Sequence, residues 1–187
     1  LILSYFYSKR MYMYLKVKEV DSFLDINDIN EPILIKSGCS DMDAVKKWNK
    51  EYLLNIIGNY EFNFEKYAKK KDMQIMKSRE SEDLLFKDFI QKSLNNNPPY
   101  YYLADKDLEQ EKNLIDDTIF DDITGKIDYF FGTCEQNNLF VGIDCLSACH
   151  IHVTEDFILN QLVGDKIVYL FDYHENYVTT RNMLTKT

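Results

Sequence analysis

The sequence predicts an α+β fold: a β-barrel or sandwich carrying an N-terminal helical decoration. Three observations predict it. Segments of helical periodicity lie before residue 95. Apolar runs of strand length cluster from residue 127 onward, separated by Gly, Asn and Asp. Aromatic residues make up 14% of the chain, with 14 Tyr and 12 Phe, a composition that suits a core with β content. Helices early and short strands late are a pattern of segregated α+β layers rather than of βαβ units.

The elements follow in order. Residues 1–20 mix Tyr, Lys and aliphatics and read as an edge strand or a frayed arm, ahead of one domain over 21–187. Pro32-Ile33-Leu34-Ile35-Lys36 reads as a short buried strand. Ser40 or Asp41 caps a helix whose apolar positions Met42, Val45, Trp48, Tyr52, Leu53 and Ile56 keep helical spacing. Gly58 supplies its C′ stop. Glu61-Phe62-Asn63-Phe64-Glu65 alternates, so a strand with Phe62 and Phe64 inward is expected. Residues 67–80 read as a polar loop. Ser81 then caps a second helix carrying Leu84, Leu85, Phe89, Ile90 and Leu94, ended by Asn95-Asn96-Asn97-Pro98-Pro99. Tyr100-Tyr101-Tyr102-Leu103 is a short strand, and the acidic stretch from Asp105 to Asp122 holds a short helix and a loop. Ile127–Phe131, Leu139–Ile143, Phe157–Leu162 and Ile167–Phe171 are strand-length runs.

Composition narrows the function classes. The chain has 187 residues, enough for one domain or one domain with an extension. With 45% hydrophobic and 28% charged residues it is globular rather than disordered. Its 22 basic and 31 acidic residues give a net charge of −9, which disfavours nucleic acid as a partner, since that contact needs a basic surface. Lys69-Lys70-Lys71 reads as a solvated run. Cys39, Cys134, Cys145 and Cys149 form no C-x-x-C pair and read as reduced thiols of an intracellular protein. No apolar run reaches membrane-spanning length, and the opening Leu1–Tyr7 lacks the basic flank of a signal peptide. The first Met is Met11, so a fragment or an unprocessed reading frame is expected.

The chemistry-bearing residues are few. Histidine occurs only at 150, 152 and 174. On a strand, His150 and His152 face the same side, where two imidazoles can share one Fe(II), Zn, Cu or Ni ion. Glu155 adds a carboxylate if the chain bends after Thr154. Two unrelated surface or core histidines are the plain alternative, because a bare H-x-H pair is a weak signal.

The flanking pattern is more specific. It runs Leu139-Phe140-Val141-Gly142, Ser147-Ala148-Cys149-His150-Ile151-His152, Asn160-Gln161-Leu162-Val163-Gly164-Asp165-Lys166, then Tyr169-Leu170-Phe171. It resembles the JmjC-type cupin-like oxygenases, which carry F-x-G, T-x-x-H-x-D and Q-x-x-G-x-K-x-x-x-L-[FY] in that order. Upstream, Glu31–Ile35, Lys47–Leu53, Ile57-Gly58, Phe86–Ile90 and Tyr101–Leu103 are similar to the same family's N-terminal signature. The likeness spans roughly residues 20–172 and is nearest to the group around the factor-inhibiting-HIF asparaginyl hydroxylase.

The resemblance implies a double-stranded β-helix, a jelly-roll or cupin-like barrel. It implies Fe(II) held by two histidines and a carboxylate, with 2-oxoglutarate and O₂ used to hydroxylate or demethylate a protein substrate. Three protein ligands on one face leave open metal positions for these co-substrates. By position, His150 matches the first metal histidine, Lys166 the lysine that pairs with the 2-oxoglutarate carboxylate, and Tyr102 the tyrosine that also reaches it. Ser147 keeps the hydroxyl of the family's Thr. A surface lysine and a packing tyrosine are the bland alternatives for Lys166 and Tyr102.

Two departures stand beside these matches. His152 replaces the carboxylate of H-x-D, removing a negative charge that would offset Fe(II), and one extra residue separates His150 from Gln161. The set His150, His152 and Glu155 is instead similar to the broader cupin metal motif. The family's distal histidine has no counterpart, since His174 falls too early and reads as a loop residue. The chain is therefore expected to cover the N-terminal decoration and about the first half of the barrel, its C-terminal part missing. Three readings stay open: an oxygenase, a truncated or degenerate domain without turnover, and a cupin metal site of other chemistry. The substrate side chain and the oligomeric state are left open.

Overall fold

The computed structural model describes residues 17–27, 31–36, 38–118, 136–148 and 158–170. Strand β1 (Lys18–Val20) pairs in parallel with β2 (Ile33–Ile35), Lys18 opposite Ile33 and Val20 opposite Ile35. Between them Phe23–Asp25 forms a single 3-10 turn. The Ser22 hydroxyl accepts from the Leu24 N–H at 3.1 Å, while the Ser22 N–H donates to Asp25 Oδ2 at 3.0 Å. The strand at 33–35 forms as expected but is not fully buried. Leu34 is 52% exposed, because this two-stranded ribbon covers one face only.

One helix from Ser40 or Asp41 to Gly58 is not what forms. The segment splits into α1 (Asp43–Lys47) and α2 (Lys50–Ile57), with Trp48 and Asn49 extended between them. Asparagine competes poorly inside a helix and well at its start. Asn49 Oδ1 accepts from the Tyr52 N–H at 2.9 Å and caps α2. Met42 precedes α1 without a side-chain cap. Gly58 closes α2 in the right-handed region at φ −56°, not in the left-handed C′ conformation.

The break has a partner across the fold. Asp117, 5% exposed, accepts from Trp48 Nε1 at 3.0 Å, Tyr52 Oη at 2.6 Å and Lys47 Nζ at 2.8 Å. It sits in a 3-10 turn (Asp116–Thr118) directly after the short helix α5 (Lys112–Ile115). α3 (Lys70–Met73) lies within the stretch read as a loop and buries Met73.

The main sheet contains β3 (Glu61–Tyr67), β4 (Glu80–Leu85), β5 (Tyr100–Asp107) and β6 (Asn138–Gly142), in the order β4-β3-β5-β6, all antiparallel. β4 overturns the helix start expected at Ser81. The ladder from Glu61–Leu85 to Lys66–Glu80 claims residues 80–85, and α4 (Phe86–Leu94) begins only afterwards. The Phe86 and Lys87 N–H groups bond the carbonyls of Tyr60 and Gly58, which fixes that boundary. α4 carries Phe86, Phe89 and Ile90 onto the sheet and ends at Asn95.

Alternation along β3 and β5 makes two apolar faces. Phe62, Phe64, Tyr101 and Leu103 face α2 and α4; Phe64 stacks on Phe89 at 4.4 Å and Phe62 meets Phe86 edge-on at 6.1 Å. Tyr67, Tyr100 and Tyr102 face the other way, with Met73, Phe140 and Cys145. β5 has one extra residue between Leu103 and Lys106, a bulge in which Asp105 takes φ +52°.

The run 139–143 forms β6 as expected. Residues 158–162 and 167–170 carry no strand; Ile167 is 74% exposed and no ladder partner for them exists among the described residues. The run 127–131 lies outside the described residues. The architecture is α+β and jelly-roll-like, with an open rather than closed sheet among the described residues.

Burial pushes the Asp117 carboxyl up, but hydrogen bonds from Lys47, Tyr52 and Trp48 outweigh it and hold it below the usual carboxylate range. Replacing Asp117 with Ala strands a buried indole N–H and a phenol, at a cost of about 3 kcal/mol. Because the folded carboxyl titrates lower than the unfolded one, this stabilisation is complete above about pH 4 and fades as pH falls further. Urea unfolding should therefore show a gap between wild type and Asp117→Ala that is widest near neutrality and narrows in acid.

Candidate functional site

The face of the sheet opposite α2 and α4 holds the candidate site. Tyr102 on β5 lies opposite Gly142 on β6, so Phe140, two residues before Gly142, shares its face. The Tyr102 and Phe140 rings stack at 6.4 Å with 28° between their planes. Lys166 arrives from the segment 158–170 and places Nζ 5.8 Å from the Phe140 ring centroid, a cation–π contact. Gly164, at φ +75°, makes the turn just before it, a conformation that favours glycine. Phe140 is thus a neighbour common to Tyr102 and Lys166.

Gly142 is the second position where glycine is required. A Cβ there would meet Cys145 Sγ at 2.0 Å and Tyr102 Cδ2 at 3.0 Å. The missing side chain lets the Cys145 thiol fold back over the strand end. Burial pushes the Tyr102 phenol well above its usual range, with Cys145, Asp105 and Glu65 adding to it. The hydroxyl therefore stays protonated as a donor. Burial also pushes the Cys145 thiol up, against the opposing pull of the Lys166 ammonium. Glu65, paired opposite Tyr102, accepts from Tyr67 Oη at 2.8 Å and from Arg79 at 2.9 Å.

Of the residues singled out by sequence, Tyr102 and Lys166 each contact the Phe140 ring. Ser147 is exposed, and among the described residues no hydrogen bond joins it to either. His150, His152, Glu155 and His174 lie outside the described residues. Among the described residues no three His, Cys, Asp or Glu side chains gather as a metal set. The reading from sequence gave no role to Phe140, Gly142 or Cys145, although Phe-x-Gly on a strand already places Phe140 and Gly142 on one face.

A cavity of about 480 Å³ opens on the Tyr101 side, lined by Lys66, Glu82, Lys92, Asn97, Pro99 and Tyr101. Its charges are matched internally. Glu82 accepts from Lys66 at 2.8 Å, Lys92 at 2.9 Å and Tyr101 at 3.1 Å, and the two ammonium groups hold its carboxyl at about 2.

Residues 21–182 match the family model of the cupin-like domain. The chain belongs to the cupin-like domain family. A comparison with curated proteins finds no match. Cupin-like domains are commonly metal-dependent. No helix among the described residues is long and apolar enough to cross a membrane.

Gly142→Ala should destabilise the domain by about 1–3 kcal/mol, the usual cost of overpacking. Adding Cys145→Ala should recover part of that loss, since it removes the nearest atom. Thermal unfolding of both variants measures it.

Proposed function

We propose that this cupin-like domain is a JmjC-type dioxygenase domain dependent on Fe(II) and 2-oxoglutarate, related to the factor-inhibiting-HIF asparaginyl hydroxylases. It hydroxylates or demethylates protein side chains inside the cell. The observation that supports the reading is that Tyr102 and Lys166 both contact the Phe140 ring. An ammonium and a protonated phenol suit a carboxylate, which they bind by charge-assisted hydrogen bonds. Lys166 is exposed and lies over the Phe140 ring, and among the described residues no ion pair to a carboxylate holds it, which leaves its charge available to an anion.

In this reading Lys166 and Tyr102 orient the far carboxylate of 2-oxoglutarate, and Ser147 adds a hydroxyl. Phe140 shields one side from water. His150, His152 and Glu155 hold the metal. Fe(II), when bound, supplies O₂ activation through the positions its protein ligands leave open. The domain proper is 21–187, with 1–20 an arm.

His152 in place of the family's carboxylate favours a second reading, a metal-binding or partner-binding cupin-like domain without 2-oxoglutarate turnover. Purified protein supplied with Fe(II) distinguishes them. The dioxygenase reading expects conversion of 2-oxoglutarate to succinate, lowered roughly tenfold or more by Lys166→Ala, the scale of one charge-assisted hydrogen bond. It also expects loss of bound iron in His150→Ala. Iron retention without succinate formation supports the second reading. Absence of both iron and succinate overturns the metal-based readings together.

A further inference from the structure

The turn that follows β6 is tied down by one carboxylate. Asp144 Oδ1 pairs with the Lys70 ammonium at the start of α3, and Asp144 Oδ2 accepts from Asn96 Nδ2 at 3.0 Å in the turn after α4. Asp144 and Asn96 both sit in the left-handed region, at φ +47° each. This backbone is unfavourable for residues other than glycine, though Asn and Asp tolerate it best. Both side chains of these left-handed residues are spent on each other, and Lys70 closes the group. The Lys70 and Asn96 contacts hold the Asp144 carboxyl below its usual range.

The residue after Asp144 is Cys145, whose thiol lies over Gly142 and beside the Tyr102 ring. A shift of this turn therefore moves one wall of Tyr102. We infer that Asp144 is a positioning residue: by clasping Lys70 and Asn96 it seats Cys145 against Tyr102 and so sets the shape of the proposed 2-oxoglutarate carboxylate site. The consequence at 2-oxoglutarate rests on the dioxygenase reading. The clasp itself does not.

The test separates the two. N-ethylmaleimide labelling of the full chain, followed peptide by peptide, reads how often Cys145 leaves its seat, with Cys39 as the internal reference. Asp144→Gly keeps the left-handed backbone and removes the carboxylate. It should speed Cys145 labelling roughly tenfold while Cys39 is unchanged, because local opening becomes easier. Lys70→Met should do the same, and the double variant no more than either alone. Asp144→Asn, which keeps an acceptor and tolerates the backbone, should raise the rate less. In the same variants the KM for 2-oxoglutarate should rise more than kcat falls. Unchanged Cys145 labelling, or additive effects of the two single variants, overturns the clasp. Faster labelling with an unchanged KM in an active enzyme overturns the positioning role. A wild type without turnover sinks the dioxygenase reading, and the labelling still decides the clasp.

Discussion

A strand buried on both faces must satisfy two packing problems with one sequence, and β5 is that strand. Its side chains alternate by geometry, so Tyr101 and Leu103 enter the helix-covered core while Tyr100 and Tyr102 enter the opposite layer. A slip of one residue against β3 would exchange the two sets and put Tyr102 under the helices. The register is held by pairing on both sides, Glu65 opposite Tyr102 from β3 and Gly142 opposite Tyr102 from β6. The candidate site is thus a consequence of register before it is a matter of any single contact.

Two polar devices protect that register from outside the sheet. Asp117 anchors the break between α1 and α2, so the helices that cover the Tyr101 face cannot slide freely over it. Glu82 gathers Lys66, Lys92 and Tyr101 on the same face and joins β3, β4, α4 and β5. Both carboxylates have their acceptor capacity spent inside the fold. The Tyr102 face is built differently: its ammonium lies over a ring, and its phenol is buried. That contrast explains why the cavity beside Tyr101 is the poorer candidate for a site.

Much of this was legible in the sequence where local pattern and tertiary need agree. Strict alternation around Phe62 and Phe64 announced β3, and the Asn-rich run before Pro98 announced the end of α4. Pattern failed where a distant partner decided the outcome. Ser81–Leu85 has helical spacing when joined to Phe89, yet a six-pair ladder with β3 made it a strand. The apparent single helix over 41–58 broke because Trp48 reaches an acceptor nearly seventy residues away in sequence, at a separation of 69. Tyr102 and Lys166 stood out only through a resemblance, since neither residue signals its role alone. Their shared contact, Phe140, needed the β5–β6 register to be seen.

In the proposed dioxygenase, the Tyr102 face, and not the Tyr101 face, receives the carboxylate of 2-oxoglutarate. Adjacent tyrosines on one strand make a built-in comparison. Titrating ring-labelled tyrosine protein with 2-oxoglutarate, and assigning signals with Tyr101→Phe and Tyr102→Phe, reads both faces in one NMR experiment. A saturable shift of the Tyr102 ring, with Tyr101 still and the effect gone in Lys166→Ala, is the result expected. A silent Tyr102 ring, or a Tyr101 ring that moves as much, would contradict it.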